Sequence, residues 1–239
     1  MASQISNPFF EVESFEETPT SVASQKLEVF NRWYVQMMEA HEESLEEVLG
    51  ILLDAKRVLE KASGSTMVRS ISSRLKSTAS ICDKLERLGL PISLTSMQEN
   101  LSDLAGIRVI CSYIDDIYIL KNWLMYNSSI RTVTVKDYIQ NPKPSGYRSL
   151  HMIVQVKNPG SGMWLNVEIQ MRTTAMDSWA ALEHQMRYKK GKFIPEEISQ
   201  ELYSCAQTLY ESDLKMQNIH RILSAPSGFT EDTADDEDS

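Results

Sequence analysis

IRTVTVKDYIQNPKPSGYRSLHMIVQVK, residues 130–157, is the stretch whose reading decides the fold. Its first and last thirds are rich in Val, Ile, Thr and other apolar residues, the composition of strands, while Asn141, Pro142, Pro144, Ser145 and Gly146 crowd the middle and break them. The unit is therefore strand, irregular turn, strand. A turn needs Gly, Pro, Asn and Ser, but it has no use for Lys143, Tyr147 and Arg148 beside the break, so this one is expected to hold something.

The flanking chain completes the pattern. Residues 22–62 place Val29, Trp33, Met37, Leu45, Val48 and Leu52 at helical spacing, which predicts one long or broken amphipathic helix ended by Gly64. TMVRSISSRLK alternates as a strand, STASICDKLERLG is a helix stopped by Gly89, and SMQENLSDLAG is a short helical piece before the strand IRVICSY. DDIYILKNWLMYN reads as a helix and WLNVEIQMR as a strand; TAMDSWAALEHQMRYK and the run from Pro195 to Ala225 read as closing helices. This order predicts a single α/β or α+β domain over residues 22–225, with a mixed sheet of about five strands flanked by helices. The acidic ends, residues 1–21 and 226–239, are too polar to pack and are expected to be disordered.

Composition narrows the class. With 239 residues, 42 % of them hydrophobic, the chain can bury one good core. No run approaches the roughly 18 apolar residues of a membrane span, and the N-terminal segment is acidic where a signal peptide is basic, so a soluble cytoplasmic protein with no membrane partner is expected. Cys82, Cys111 and Cys205 are far apart and form no CxxC pair, which points away from a disulfide framework or a zinc site. The net charge of −9 resides in the ends: residues 11–17 carry four acids and residues 231–238 six, leaving 24 basic against 23 acidic residues elsewhere. Within residues 130–157, Arg131, Lys136, Lys143, Arg148 and Lys157 face a single acid, Asp137. Such a strip is either solvated surface or a site for anions.

The polar residues gather at strands and strand ends. Arg74 and Lys76 close the first strand, Asp103 and Arg108 flank the start of the second, and Lys143 to His151 lie between the third and fourth. On the fifth, Glu168, Gln170 and Arg172 share one face while Val167, Ile169 and Met171 take the other. Cations suit phosphate oxygens, carboxylates suit Mg2+, and an aromatic ring suits a base, so together they describe a nucleotide site. Neither GxxxxGK[ST] nor GxGxxG occurs, which leaves the phosphates to side chains.

RLKSTASICDK, LSDLAGIRV, KDYIQNPKPSGYRSLH, VEIQMRT and WAALEHQMRYK, in that order, resemble the synthetase domain of RelA/SpoT-type enzymes, and the short chain is similar to the stand-alone small alarmone synthetases. The resemblance covers about residues 66–190, the expected catalytic core, plus helices on both sides. It implies a nucleotidyltransferase-like synthetase domain and a GTP pyrophosphokinase of the stringent response, which moves the β,γ-diphosphate of ATP to the ribose 3′-OH of GDP or GTP with Mg2+ as cofactor. It implies a homo-oligomer, a tetramer by preference, and leaves RNA open as a partner that the reaction does not require.

Carried over position by position, Arg74 and Arg108 resemble the arginines that sandwich adenine, and Lys76, Ser80 and Lys84 the binders of ATP phosphates. Asp103 resembles the magnesium carboxylate. Glu168 resembles the acid that takes the 3′-OH proton beside the metal. Tyr147 resembles the tyrosine that stacks on guanine, Lys143 and His151 the contacts to acceptor phosphates, Lys136 faces the transferred group, and Gln170 belongs to the acceptor site. Singly, each has a plain structural alternative: surface ion pairs for Arg74 and Arg108, a helix cap for Asp103, a packed turn aromatic for Tyr147. Glu183 and His184 read as the rim of a core built on Trp179, and His41 and His220 are given no role.

Two departures stand out, one from the long family members and one from a subgroup of the small synthetases. Four histidines, none followed by Asp, exclude the His-Asp signature of the hydrolase domain. Ser70 stands where one subgroup has an aromatic residue for allosteric alarmone, so that activation is not expected. The other function class that the resemblance allows is a toxic variant that pyrophosphorylates adenine nucleotides or tRNA 3′ ends.

Overall fold

The computed structural model describes residues 19–190 and 195–225; the acidic ends expected to be disordered lie, but for residues 19–21, outside them. Helix α1 (Pro19–Ser63) takes in those three residues and ends at Gly64, whose φ of +67° is easy only for glycine. Strand β1 (Val68–Leu75) starts where Glu60 accepts hydrogen bonds from the Met67 and Val68 amides, at 3.0 and 2.9 Å, so the helix end aligns the first strand. Then come α2 (Thr78–Arg87), capped by Ser77, and α3 (Leu94–Asn100), capped by Ser93.

Strand β2 (Ala105–Cys111) and helix α4 (Ile114–Met125) follow. The strand ends two residues before the expected IRVICSY, because Tyr113 serves as N-cap of α4 and its amide bonds to Asp116. It also begins two residues earlier, at Ala105, so Arg108 sits in mid-strand and not at its start. Strands β3 (Ile130–Asp137), β4 (Leu150–Lys157) and β5 (Trp164–Thr173) and helices α5 (Thr174–Lys190) and α6 (Glu196–Ser224) complete the chain. Asp103 lies in the link between α3 and β2, beyond the C-cap Leu101, and caps no helix.

The five strands form one mixed sheet in the order β1-β2-β5-β4-β3, with β2 and β5 parallel and every other pair antiparallel. Its back face, with Ile107, Val109, Met152, Val154, Val167, Ile169 and Met171, is covered by Val48, Leu52 and Ala55 of α1 and by Ile117, Leu120 and Leu124 of α4. Burying side chains of this kind stabilises by about 1.5–3 kcal/mol each. A second cluster joins Met37 of α1 to Ile81 and Leu85 of α2 and to Met97, Leu101 and Leu104, while a third joins Trp179 and Ala180 of α5 to Ala206 of α6. The sheet's other face carries mostly polar side chains, with Ile110 and Ile153 among them. No described helix is long and apolar enough to cross a membrane.

Candidate active site

Register sets the site. Ser72, Arg108, Gln170, His151 and Lys136 are directly paired across all five strands and form one polar row on the open face. In the adjacent row Arg74 opposes Gly106, which opposes Glu168. Because Gly106 has no side chain, the floor between Arg74 and Glu168 stays open: a cleft of about 260 Å3 is bordered there by Arg74, Asp103, Gly106, Arg108, Glu168 and Gln170. That is close to the lower end of the usual range for small-molecule sites, roughly 300 Å3.

One end of the cleft is held by a carboxylate between two ammonium groups. Lys76 Nζ lies 2.9 Å from Asp103 Oδ2, and Lys84 Nζ 2.7 Å from Oδ1. Burial alone would raise the Asp103 carboxyl, but the bonds from Lys84 and Lys76 outweigh it and hold the group below its ordinary value. Ser80 lies one turn before Lys84 on α2, where its amide donates to the capping Ser77 oxygen at 3.3 Å. The donor-side residues expected from the sequence, Arg74, Lys76, Ser80, Lys84, Asp103 and Arg108, are thus supplied by β1, α2, β2 and the links before α2 and β2, Lys76 lying just past the end of β1 and not on it.

The other end is a closed ring of side chains. Tyr147 Oη is 2.7 Å from His151 Nε2; His151 Nδ1 is 2.9 Å from Glu168 Oε1; Gln170 Nε2 donates to Glu168 Oε2 at 2.8 Å. Arg172 Nη2 closes it by donating to Gln170 Oε1 at 3.0 Å and to Tyr147 Oη at 2.7 Å. Burial would raise the Glu168 carboxyl, but hydrogen bonds from His151 and Gln170 keep it below the ordinary value, so it is an ionised acceptor. The Lys143 ammonium sits 4.7 Å from the Tyr147 ring centroid and 4.8 Å from that of Tyr138, where burial draws its pKa down. Lys136 is exposed at the end of the polar row, opposite His151.

The turn before Tyr147 is shaped by Gly146, at φ +88°, whose amide donates to the Lys143 carbonyl at 2.8 Å. Arg148, singled out in the sequence beside Lys143 and Tyr147, has a structural task instead. Its guanidinium donates to the Ile139 carbonyl and to Gln207 of α6, and it stacks 3.9 Å from the centre of the Tyr210 ring. Trp179 is buried as expected and donates from Nε1 to the Leu202 carbonyl at 2.9 Å.

Two site residues escaped the sequence reading, and a third, Arg172, was placed on the face of Glu168 and Gln170 by its period-two spacing but given no role. Asp177, on α5, accepts from Arg172 at 3.0 Å and lies 3.4 Å from Arg108; in the sequence it is an ordinary first-turn acid. Tyr138, edge-on to both Tyr147 and His151, reads as the end of a strand.

Comparison with known proteins agrees with this geometry. Residues 73–193 match the region found in RelA / SpoT proteins. GTP pyrophosphokinase YwaC of Bacillus subtilis is 43 % identical over 160 residues, which cover 66 % of this chain and 76 % of that protein. GTP pyrophosphokinase YjbM of the same organism is 29 % identical over 203 residues, covering 84 % and 95 %. The crystal structure of small alarmone synthetase 1 from Bacillus subtilis bound to its product pppGpp superposes with a TM-score of 0.72 at 31 % identity, over 81 % of this chain and all of that one. Since the matched region takes in just over half of the chain and the strand rows that build the site lie within it from Arg74 onward, the chain belongs to the family of RelA/SpoT synthetase domains.

Proposed function

We propose that this protein is a GTP pyrophosphokinase that transfers the β,γ-diphosphate of ATP to the ribose 3′-OH of GDP or GTP, giving ppGpp or pppGpp and AMP. The observation that carries the reading is the position of Glu168, an ionised acceptor between the cleft of Arg74 and Arg108 and the ring that contains Tyr147. The relatives named as GTP pyrophosphokinases and the product-bound synthetase support it.

In this reading Arg74 and Arg108 take the adenine, and Lys76, Lys84 and Ser80 the donor phosphates. Tyr147 stacks on the guanine, Lys143 and His151 hold phosphate oxygens of the acceptor with Gln170 beside them, and Lys136 faces the transferred group. The acceptor O3′ forms its bond to Pβ as the bond from Pβ to the α,β-bridging oxygen breaks, and AMP leaves with that oxygen. The 3′-OH proton passes to Glu168, whose carboxylate has lone pairs beyond those used by His151 and Gln170. Positioning and charge neutralisation supply most of the acceleration.

The residues fit a magnesium ion bound jointly with nucleotide. Among the described residues no group of three or more His, Cys, Asp or Glu side chains forms a metal cage, whereas Asp103 and Glu168 offer two carboxylates on one cleft, the donor set for Mg2+ shared with phosphates. Asp103 and Glu168 would hold it, and when bound it neutralises phosphate charge. Lys76 and Lys84 must give up Asp103 for this, and donor phosphates are the partners that draw them away.

The assay is chromatography of products from ATP with GDP, GTP, ADP or tRNA. Glu168→Gln abolishes transfer to the guanine nucleotides with little change in ATP affinity, because the loss falls on the transition state. Near-normal turnover removes Glu168 from the mechanism, and products from ADP or tRNA alone overturn the acceptor assignment. A homo-oligomer, with four chains preferred, accounts for the exposed apolar residues Ile198, Leu214, Met216, Ile219 and Ile222 of α6 and Val35, Leu53 and Val58 of α1. Light scattering that reports a monomer at working concentration refutes it.

A further inference from the structure

Arg172 carries a charge, yet only 7 % of its side chain is exposed. A buried guanidinium is costly unless its donors are paired, and here Asp177 accepts from Nη1 while Tyr147 and Gln170 accept from Nη2. Guanidinium nitrogens only donate and an ionised carboxylate only accepts, so the ring has a source at Arg172 and a sink at Glu168. With a neutral His151 imidazole, whose Nδ1–H must face the carboxylate, one arm runs from Arg172 to the phenol oxygen, on through the phenol proton to His151 Nε2, and from Nδ1–H to Glu168 Oε1. The other runs through the Gln170 amide, which accepts on Oε1 and donates from Nε2 to Glu168 Oε2. Both oxygens of the carboxylate are thereby held by chains that begin at one side chain.

We infer that Arg172 is the positioning residue of the acceptor half, fixing the plane of the Tyr147 ring and the Glu168 carboxylate relative to one another. The phenol oxygen, pinned by Arg172 and His151, keeps the ring from swinging about the Gly146 turn, and the same guanidinium keeps the Gln170 amide against Glu168. The stacked base and the group that receives the 3′-OH proton are then placed by one residue. Asp177 extends the contact to Arg108 on the donor side, but Arg108 keeps that partner when Arg172 is lost.

This inference rests on the function proposed above, with Glu168 as the base. Its test is the kinetics of Arg172→Met, Arg172→Lys, Tyr147→Phe and the Arg172→Met/Tyr147→Phe double variant, with the melting curve and the affinity for a non-hydrolysable ATP analogue measured for each. Arg172→Met lowers kcat by about 10- to 100-fold, the scale of a misplacement near 1 Å, and leaves the KM for ATP within about twofold. Arg172→Lys, which can still donate to the phenol and the amide, recovers part of kcat. The double variant loses less than the product of the two single losses, because both break the same arm. A kcat for Arg172→Met within about twofold of the native value overturns the inference, as do strictly multiplicative losses or a fall in ATP analogue affinity that parallels kcat. If Glu168→Gln still transfers, the proposed mechanism itself fails; a silent Arg172→Met in an enzyme that Glu168→Gln inactivates overturns this inference alone.

Discussion

Replacing Gly146 by Ala tests how the loop that carries Tyr147 is seated. At φ +88° an L side chain is strained, by roughly 1–2 kcal/mol for a left-handed residue. The added Cβ would also stand 2.7 Å from Ala206 Cβ and 3.2 Å from Tyr203 Cα, both on α6. Neither atom is the end of a flexible side chain, so the loop or the helix has to move, and overpacking of that kind costs about 1–3 kcal/mol. The total is about 2–5 kcal/mol. Urea denaturation of Gly146→Ala, Ala206→Gly and the double variant separates the two parts. Ala206→Gly alone costs about 1 kcal/mol as a helix substitution, and in the Gly146→Ala background it gives back the share of the clash owed to the Ala206 methyl and leaves the backbone share and the Tyr203 contact. The geometry is refuted if Gly146→Ala is within about 0.5 kcal/mol of the native protein, the ordinary scatter of surface substitutions, or if the two changes are simply additive.

Two further outcomes follow from the same structure. Tyr147→Ala weakens GDP or GTP binding about tenfold or more, from a stacking contribution of roughly 1–3 kcal/mol, and spares an ATP analogue, whereas Arg74→Ala does the reverse. Calorimetry with each ligand decides, and equal losses for both after Tyr147→Ala make the tyrosine a packing residue. Asp116, which burial pushes up to about 6 beside His220, Asp115 and Glu60, binds its proton more tightly folded than unfolded, where the value is about 3.9. The native protein therefore gains stability relative to Asp116→Asn as pH falls from about 6 to about 4, and denaturation midpoints whose difference is constant across that range contradict it.

What the sequence made legible was local. Alternation along VEIQMRT separates Glu168, Gln170 and Arg172 from the buried Val167, Ile169 and Met171, and Gly64 and Gly89 mark helix ends because their positive φ suits no other residue as well. The sheet order was not legible, since pairing β2 with β5 joins Arg108 to Gln170 across the intervening α4, β3 and β4. The same distance hid Asp177, whose meaning depends on Arg172 and Arg108, and it misdirected the reading of Arg148. That guanidinium is taken up by Gln207, 59 positions further on, and no local pattern announces such a partner. The ordered motifs pointed to Asp103, but not to its capture by two lysines, which only the folded link before β2 brings about.

The single parallel pair in the sheet has a consequence for how such proteins diversify. Everything on the donor side, from Ser72 to Arg108, comes from one continuous length of chain, and everything on the acceptor side, from Lys136 to Asp177, from another; they meet where β2 lies against β5 and the start of α5. A change of acceptor can accordingly be inherited as a block, by altering the loop around Gly146 and the strands on either side of it. The pyrophosphate source stays untouched on the far side of that seam, and Arg108 with Asp177 is the one described ion pair that crosses it.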